Sequence, residues 1–311
     1  MESVFDAILP IFGILTIGYL AARFGFMEDA AIDGLSKFVF NFAVPVLLFR
    51  KIAQAGLPDN MPWELPFAFY GGIIAIFLFG AVLGVALFRR GPAEAVSYGA
   101  AACWGNAVLM GIPIVLATYG DSASLPLFIL IGLHTLIMAP ILSLGYAFAG
   151  GKGRGLGGAL GDVAGELVRN PILVGMLAGL LYGRFGPPLP MVVDETTRLL
   201  GEASMPAALF AVGGTLARYS IGGQVPHALG LSIIKLVLAP LVVWVLADRL
   251  LGLPVLWVQV AVVLAALPSG VTAFLFAGRY EAAKNTVTTT IILSTLLGLL
   301  TLPAAIWLVG P

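Results

Sequence analysis

The run Gly105-Asn106-Ala107-Val108-Leu109-Met110-Gly111-Ile112-Pro113 puts helix-breaking chemistry inside an otherwise apolar stretch. Proline removes a backbone donor and glycine loosens a helix, and in hydrocarbon the freed groups are tolerated only where protein or a water-filled cavity satisfies them. A second interruption, Leu267-Pro268-Ser269-Gly270-Val271-Thr272, lies in a later apolar run. Where two broken helices cross, their half-helix N-termini present partial positive charge and unpaired N–H groups at one point, chemistry that suits a carboxylate. Asn106 and Ser269 are the polar side chains nearest such a point, with Thr272 one turn away and Gly105 and Gly270 beside them; Gly111, Pro113 and Pro268 supply the breaks. Two roles stand open at each position. Asn106 contacts a ligand or caps a half-helix, and Ser269 contacts a ligand or bonds to a freed carbonyl.

Ionisable residues within apolar runs are functional candidates by default. Glu202 and Lys235 are the clearest, as possible carriers of a coupled proton. The competing readings put Glu202 at the outer interface, merely solvated, and let Lys235 snorkel toward water. His134, between Leu133 and Thr135, reads as a hydrogen-bonded packing residue rather than a ligand, and Cys103 as small packing filler. Gly175-x3-Gly179-x3-Gly183 makes a close-packing helix face that needs no ligand. Enzyme chemistry finds little support: Pro268-Ser269-Gly270 is not a nucleophile elbow, the two histidines are far apart, and no paired carboxylates recur at metal-binding spacing. No metal and no cofactor are expected.

The elements that must position these residues are membrane helices. Hydrophobic residues make up 60% of the 311 and charged ones only 10%, far from the one-quarter charged share of soluble domains. Zero net charge gives no sign of nucleic acid as a partner. A helix needs about 20 apolar residues to cross the hydrocarbon core, and punctuation divides the chain into ten runs: 4–22, 32–52, 66–88, 94–119, 123–148, 167–186, 193–217, 227–250, 254–279 and 285–309. The first run follows Glu2 and Asp6 rather than a basic segment, so it reads as a retained helix and not a signal peptide. Residues 150–166, with the glycine-rich stretch 151–158, read as a flexible cytoplasmic linker and not a phosphate loop. With the N-terminus outside, ten basic residues fall in inner loops, among them Arg169 and Arg279, against five in outer loops, which places both termini on the outer face.

The chain also repeats itself. Pro10-Ile11, Gly18 and Arg23-Phe24-Gly25 recur as Pro171-Ile172, Gly179 and Arg184-Phe185-Gly186 at an offset of 161, and Pro45 and Leu48-Phe49 recur as Pro206 and Leu209-Phe210. The same offset sets Glu202 in the place of Asn41. A second offset, 163, pairs Pro140 with Pro303 and Gly105-Asn106 with Pro268-Ser269. Each half, 1–149 and 167–311, holds five runs. An odd number makes the second half enter the membrane with opposite polarity, so the expected fold is all-α with two inverted five-helix repeats and crossed, broken helices 4 and 9.

At these residues the chain resembles the auxin efflux carrier family, which contains the plant PIN carriers and bacterial transporters named as malonate or malate permeases. The resemblance rests on Phe38-Val39-Phe40-Asn41-Phe42-Ala43-Val44-Pro45, on Gly105 to Pro113, and on Ala266-Leu267-Pro268-Ser269-Gly270 through Phe274-Leu275-Phe276-Ala277. It implies a scaffold of helices 1, 2, 6 and 7 and a transport domain of helices 3–5 and 8–10 that moves in an elevator-like manner. It also implies that Asn106 matches the family's substrate-binding asparagine and Lys235 a basic residue of the eighth helix. Three departures from the plant pattern matter. Gly105 stands where the plant pattern has proline, so the fourth-helix break is expected to rely on Gly105 and Gly111. Leu48 stands in place of a serine, and no carboxylate lies between Pro66 and Arg89, two losses that point away from auxin and toward a small bacterial organic anion. The expected protein is a gradient-driven carrier of small carboxylates in a bacterial inner membrane, with H+ or Na+ as possible coupling ions, the lipid bilayer as its medium and a second copy of the chain as a possible partner. The alternatives are an auxin-like aromatic acid carrier and a ligand-sensing membrane receptor using the same site.

Overall fold

The computed structural model describes residues 2–55, 62–150, 161, 165 and 168–310; most of the expected linker, including 151–158, lies outside them. Twelve helices follow one another among the described residues: α1 (Glu2–Arg23), α2 (Asp29–Gln54), α3 (Glu64–Ala86), α4 (Pro92–Cys103), α5 (Ala107–Tyr119), α6 (Ser124–Phe148), α7 (Pro171–Phe185), α8 (Met191–Ala217), α9 (Val225–Leu250), α10 (Val255–Ala266), α11 (Val271–Arg279) and α12 (Lys284–Val309). The helices α2, α3, α6, α8, α9 and α12 are each long and apolar enough to cross a membrane. Shorter apolar helices fill the first, fourth, sixth and ninth predicted runs. The fourth run is the pair α4 and α5, and the ninth is the pair α10 and α11.

Small residues decide which helices touch. Lipid tails are as apolar as leucine, so burial alone does not sort helices in a membrane, and close packing at glycine does. On α1, a Cβ added to Gly18 would stand 2.2 Å from the Phe210 carbonyl oxygen of α8. The reciprocal contact lies between α7 and α2, where a Cβ on Gly179 would stand 2.7 Å from the Phe49 carbonyl oxygen. A Cβ on Gly175 would stand 2.5 Å from the Pro45 carbonyl oxygen and one on Gly183 2.9 Å from that of Ala53, so the small-residue face of α7 packs along α2. Helices α1, α2, α7 and α8 thus form one packed group through α1 on α8, α7 on α2 and α8 on α2. In a second group α3 lies on α4, α9 on α12, and α10 on α9 and α12.

Proline shapes the long helices without ending them. Wide π-turns occupy Val39–Ala43, Ala107–Gly111 and Ile234–Leu238, and each finishes two residues before a proline: Pro45, Pro113 and Pro240. A proline ring inside an α-helix strikes the carbonyl four residues back, and one wide turn moves that carbonyl aside. Pro140, Pro206 and Pro303 are accommodated in α-helix without such a turn. Consequently Gly111 and Pro113 lie within α5 rather than at its break. The break itself falls at Trp104, Gly105 and Asn106.

Candidate functional site

The two interrupted runs meet. At the end of α4, Trp104 leaves the helix with extended backbone (φ −76°, ψ 103°), and after α10 Leu267 does the same (φ −61°, ψ 148°). These extended pieces form one antiparallel bridge between Gly105 and Ser269. The Asn106 amide donates to the Pro268 carbonyl at 3.0 Å, and the Gly270 amide donates to the Trp104 carbonyl at 2.8 Å. Backbone groups freed by the two breaks therefore satisfy each other, as a non-helical segment at membrane depth requires. Contact is tight: a Cβ on Gly270 would lie 3.0 Å from the Gly105 carbonyl oxygen, so that backbone would have to give way.

Beyond the bridge the two sides differ. Ser269 is buried, its hydroxyl donates to the Ala101 carbonyl at 2.6 Å, and its amide donates to the Ser294 hydroxyl at 3.0 Å. Lys235, fully buried on α9, donates from Nζ to the Ala265 carbonyl at the end of α10. Nζ sits where the C-terminal ends of α4 and α10 converge, the ends that carry partial negative charge. A Cβ on Gly105 would reach within 3.4 Å of Nζ, so Gly105 also leaves room for the lysine.

Asn106 is half-buried, and its side chain caps no helix. It borders a cavity of about 690 Å³, within the range of small-molecule sites. Gly105, Gly270 and Thr272 line the same cavity, whereas Ser269, Lys235, Pro268, Gly111 and Pro113 do not. Glu202 lies elsewhere, on the exposed side of α8, with its carboxylate 2.5 Å from Arg198. Its offset-161 counterpart Asn41, in the π-turn of α2, lines the cavity.

Four further lining residues were not singled out as ligands from the sequence: His134 and Thr135 of α6, Arg169 before α7, and Arg279 in the last turn of α11. Among the described residues, no aspartate or glutamate lines the cavity. Near its mouth Asn170 accepts a hydrogen bond from the Ile172 amide at 3.0 Å and so caps α7. The His134 ring stands edge-on to Trp104, with centroids 5.3 Å apart, and Trp104 in turn leans on Phe276. Among the described residues the walls are thus aromatic and aliphatic, the polar groups are donors or neutral, and the fixed charges are positive. Such a cavity favours an anion. No group of three or more His, Cys, Asp or Glu that could hold a metal ion exists among the described residues.

Comparison with known proteins identifies the family. The model of a family described as membrane transport protein matches residues 3–151 and 160–307. A Rhizobium meliloti (strain 1021) protein named "Putative malonate transporter" is 28% identical over 313 residues, covering 99% of this chain and 97% of that protein. "Auxin efflux carrier component 8" of Arabidopsis thaliana is 25% identical, covering 95% of this chain and 94% of its relative. "Uncharacterized transporter YfdV" of Escherichia coli (strain K12) is 27% identical, covering 96% of both chains. With its apolar helices, its paired broken runs and a family match along nearly its whole length, the chain belongs to the membrane transport protein family that includes the auxin efflux carriers.

Proposed function

We propose that this membrane transporter is a secondary carrier of small organic anions bearing at least one carboxylate, working by alternating access about the bridge between Gly105 and Ser269. The observation that carries this reading is the cavity at the crossover, which joins Asn106 and the N-terminal end of α11 to two arginines and, among the described residues, to no acidic one. Helix-terminus effects are worth about 0.3–2 kcal/mol each. Lys235 leaves the same preference in place by occupying the opposite, negative ends of the half-helices. In this reading Asn106 holds the carboxylate, Thr272 assists, and Ser269 holds the backbone on which both depend. A malonate-like acid fits the name of the Rhizobium relative, and the larger auxin-like acids are the second choice.

The inverted repeat belongs to the same proposal. Gly18 faces Phe210, and Gly179 faces Phe49; both pairs exchange under the offset of 161, which supports a pseudo-two-fold axis relating two five-helix halves. Ten crossings follow, the fourth made by α4 and α5 and the ninth by α10 and α11. The group α1, α2, α7 and α8 would be the scaffold, and the remaining helices the body that slides against it. Both termini would be periplasmic in a bacterial inner membrane. The cavity end bearing Arg169 and Arg279 would then be cytoplasmic, and the structure an inward-facing state. H+ or Na+ coupling, with Lys235 or Glu202 as the proton candidates, and dimerisation extend the proposal.

Purified protein screened by thermal shift against mono- and dicarboxylates and matched amides, with and without sodium, tests the substrate class. Carboxylates alone should stabilise. Stabilisation by neutral amides or amines, with none from carboxylates, would reject it. Topology is tested separately by labelling cysteines placed singly at positions 2 and 310 in a Cys103→Ser background: access to either from the cytoplasm alone excludes two periplasmic termini.

A further inference from the structure

One buried group near the crossover has no partner. His134 is 7% exposed, yet its Nε2 atom makes no hydrogen bond. Buried polar atoms in native proteins are satisfied in the great majority of cases, and an orphan calls for an explanation. The neighbouring polar groups do not supply one. Tyr70, whose ring centroid lies 6.1 Å from the imidazole, donates its hydroxyl to the Leu130 carbonyl. Lys235 is engaged by the Ala265 carbonyl. Trp104 meets the imidazole through ring contact at 89°, which fixes the ring without satisfying a nitrogen. His134 nevertheless lines the same cavity as Asn106.

We infer that His134 is a substrate-contacting residue, whose imidazole N–H donates a hydrogen bond to a carboxylate oxygen of the ligand held at Asn106. This inference rests on the carboxylate reading of the cavity. The physical argument turns on what an apolar replacement would do. A histidine kept only for packing would be matched by leucine, because exchanging an unpartnered buried polar group for an apolar one removes a desolvation penalty and keeps the contact with Trp104. A polar group that destabilises the free protein and has a partner only in the complex is the signature of a site in which stability is given up for binding. Stability and affinity should therefore move in opposite directions at this position.

The experiment uses the full chain, purified in detergent, with malonate, malate and benzoate as probes. Unliganded thermal unfolding and titration calorimetry are measured for the wild type, His134→Leu and His134→Gln. We expect His134→Leu to unfold at the same temperature as the wild type or higher, and to bind the tightest of the three acids about 10- to 100-fold more weakly, the loss of one charge-assisted hydrogen bond. His134→Gln, which keeps an N–H donor, should recover part of that loss. Wild-type affinity in a monodisperse His134→Leu protein overturns the inference and leaves the carboxylate reading intact. If leucine prevents folding or lowers the unfolding temperature, stability and affinity do not move in opposite directions at this position, and the inference is overturned. A wild type that binds none of the three acids overturns the carboxylate reading and this inference together.

Discussion

The two broken runs are paired by sequence and joined by one bridge, yet their polar side chains are used differently. At the first break Asn106 leaves its side-chain amide uncommitted at the edge of a cavity; at the second, Ser269, its counterpart at offset 163, is 2% exposed and bonded on both sides to protein. The contrast shows that two breaks matched in sequence and joined by one bridge need not make two equivalent sites. One break can be read as the ligand's and the other as the clamp that holds the first in place. The asymmetry extends to the neighbouring pair at offset 161, where Asn41 lines the cavity and Glu202 faces outward beside Arg198.

The sharpest way to break this comparison is Asn106→Ala. A site built to hydrogen-bond a polar ligand loses far more than packing when that partner goes. Since the Asn106 side chain caps no helix, its removal should cost the fold little, while uptake of the carboxylate falls to background. Uptake by reconstituted vesicles, with thermal unfolding as the control, measures both. Unchanged uptake would remove the crossover from the mechanism.

The glycines on either side of the bridge sharpen the comparison next. A Cβ on Gly270 would press within 3.0 Å of the Gly105 carbonyl oxygen and 3.2 Å of its carbon, both backbone atoms of the opposite break. Backbone there cannot yield without disturbing the two bridging hydrogen bonds, so Gly270→Ala should destabilise by about 1–3 kcal/mol and weaken binding. Gly105→Ala is milder. Its Cβ would meet the Leu264 oxygen at 3.3 Å and the flexible end of Lys235 at 3.4 Å, so a smaller loss is expected. Thermal unfolding of the two variants side by side tests the order, and equal losses would mean that the bridge is not the rigid element.

Much of this arrangement is legible in the sequence, and the illegible part has a physical cause. Asn106, Gly105, Pro268 and Ser269 announce themselves because helix breakers in apolar runs have few explanations in hydrocarbon. Likewise the spacing of Gly175, Gly179 and Gly183 announces a packing face, and α7 does pack along α2 there. What spacing cannot give is direction. Whether the serine hydroxyl faces the cavity or the Ala101 carbonyl depends on where α4 lies relative to α11, a relation between segments more than 150 residues apart. His134 was read as a hydrogen-bonded packing residue for the same reason: a lone polar residue in an apolar helix is usually satisfied, and only the positions of Tyr70 and Trp104 reveal that its Nε2 is not. Arg169 and Arg279 looked like ordinary loop charges until the fold brought both to one cavity.

Ser269→Ala tests the clamp half of the comparison. Removing the hydroxyl leaves the Ala101 carbonyl without its 2.6 Å donor, while the Ser269 amide keeps its bond to Ser294. A net loss of about 1 kcal/mol in stability follows. Binding should weaken less than in Asn106→Ala, because the hydroxyl does not line the cavity. Loss of all binding in a protein of unchanged stability would reverse the assignments of the two breaks.

Glu202→Gln should have the smallest effect, and it separates the two proton candidates. The Glu202 side chain is 61% exposed, sits on the outer part of α8 and pairs with Arg198 four residues earlier on the same helix. Exposed pairs of this spacing contribute about 0.3–0.5 kcal/mol, so stability should barely change. A residue in this position touches neither the cavity nor the bridge, and uptake should keep both its rate and its dependence on pH. Lys235→Met is the informative contrast, since it removes the donor to the Ala265 carbonyl at the end of α10 and leaves that half-helix end uncompensated. If transport is proton-coupled through the crossover, the pH profile should change in the lysine variant alone. A profile that flattens in Glu202→Gln and persists in a folded Lys235→Met protein would move the coupling site from the crossover to the outer face of α8.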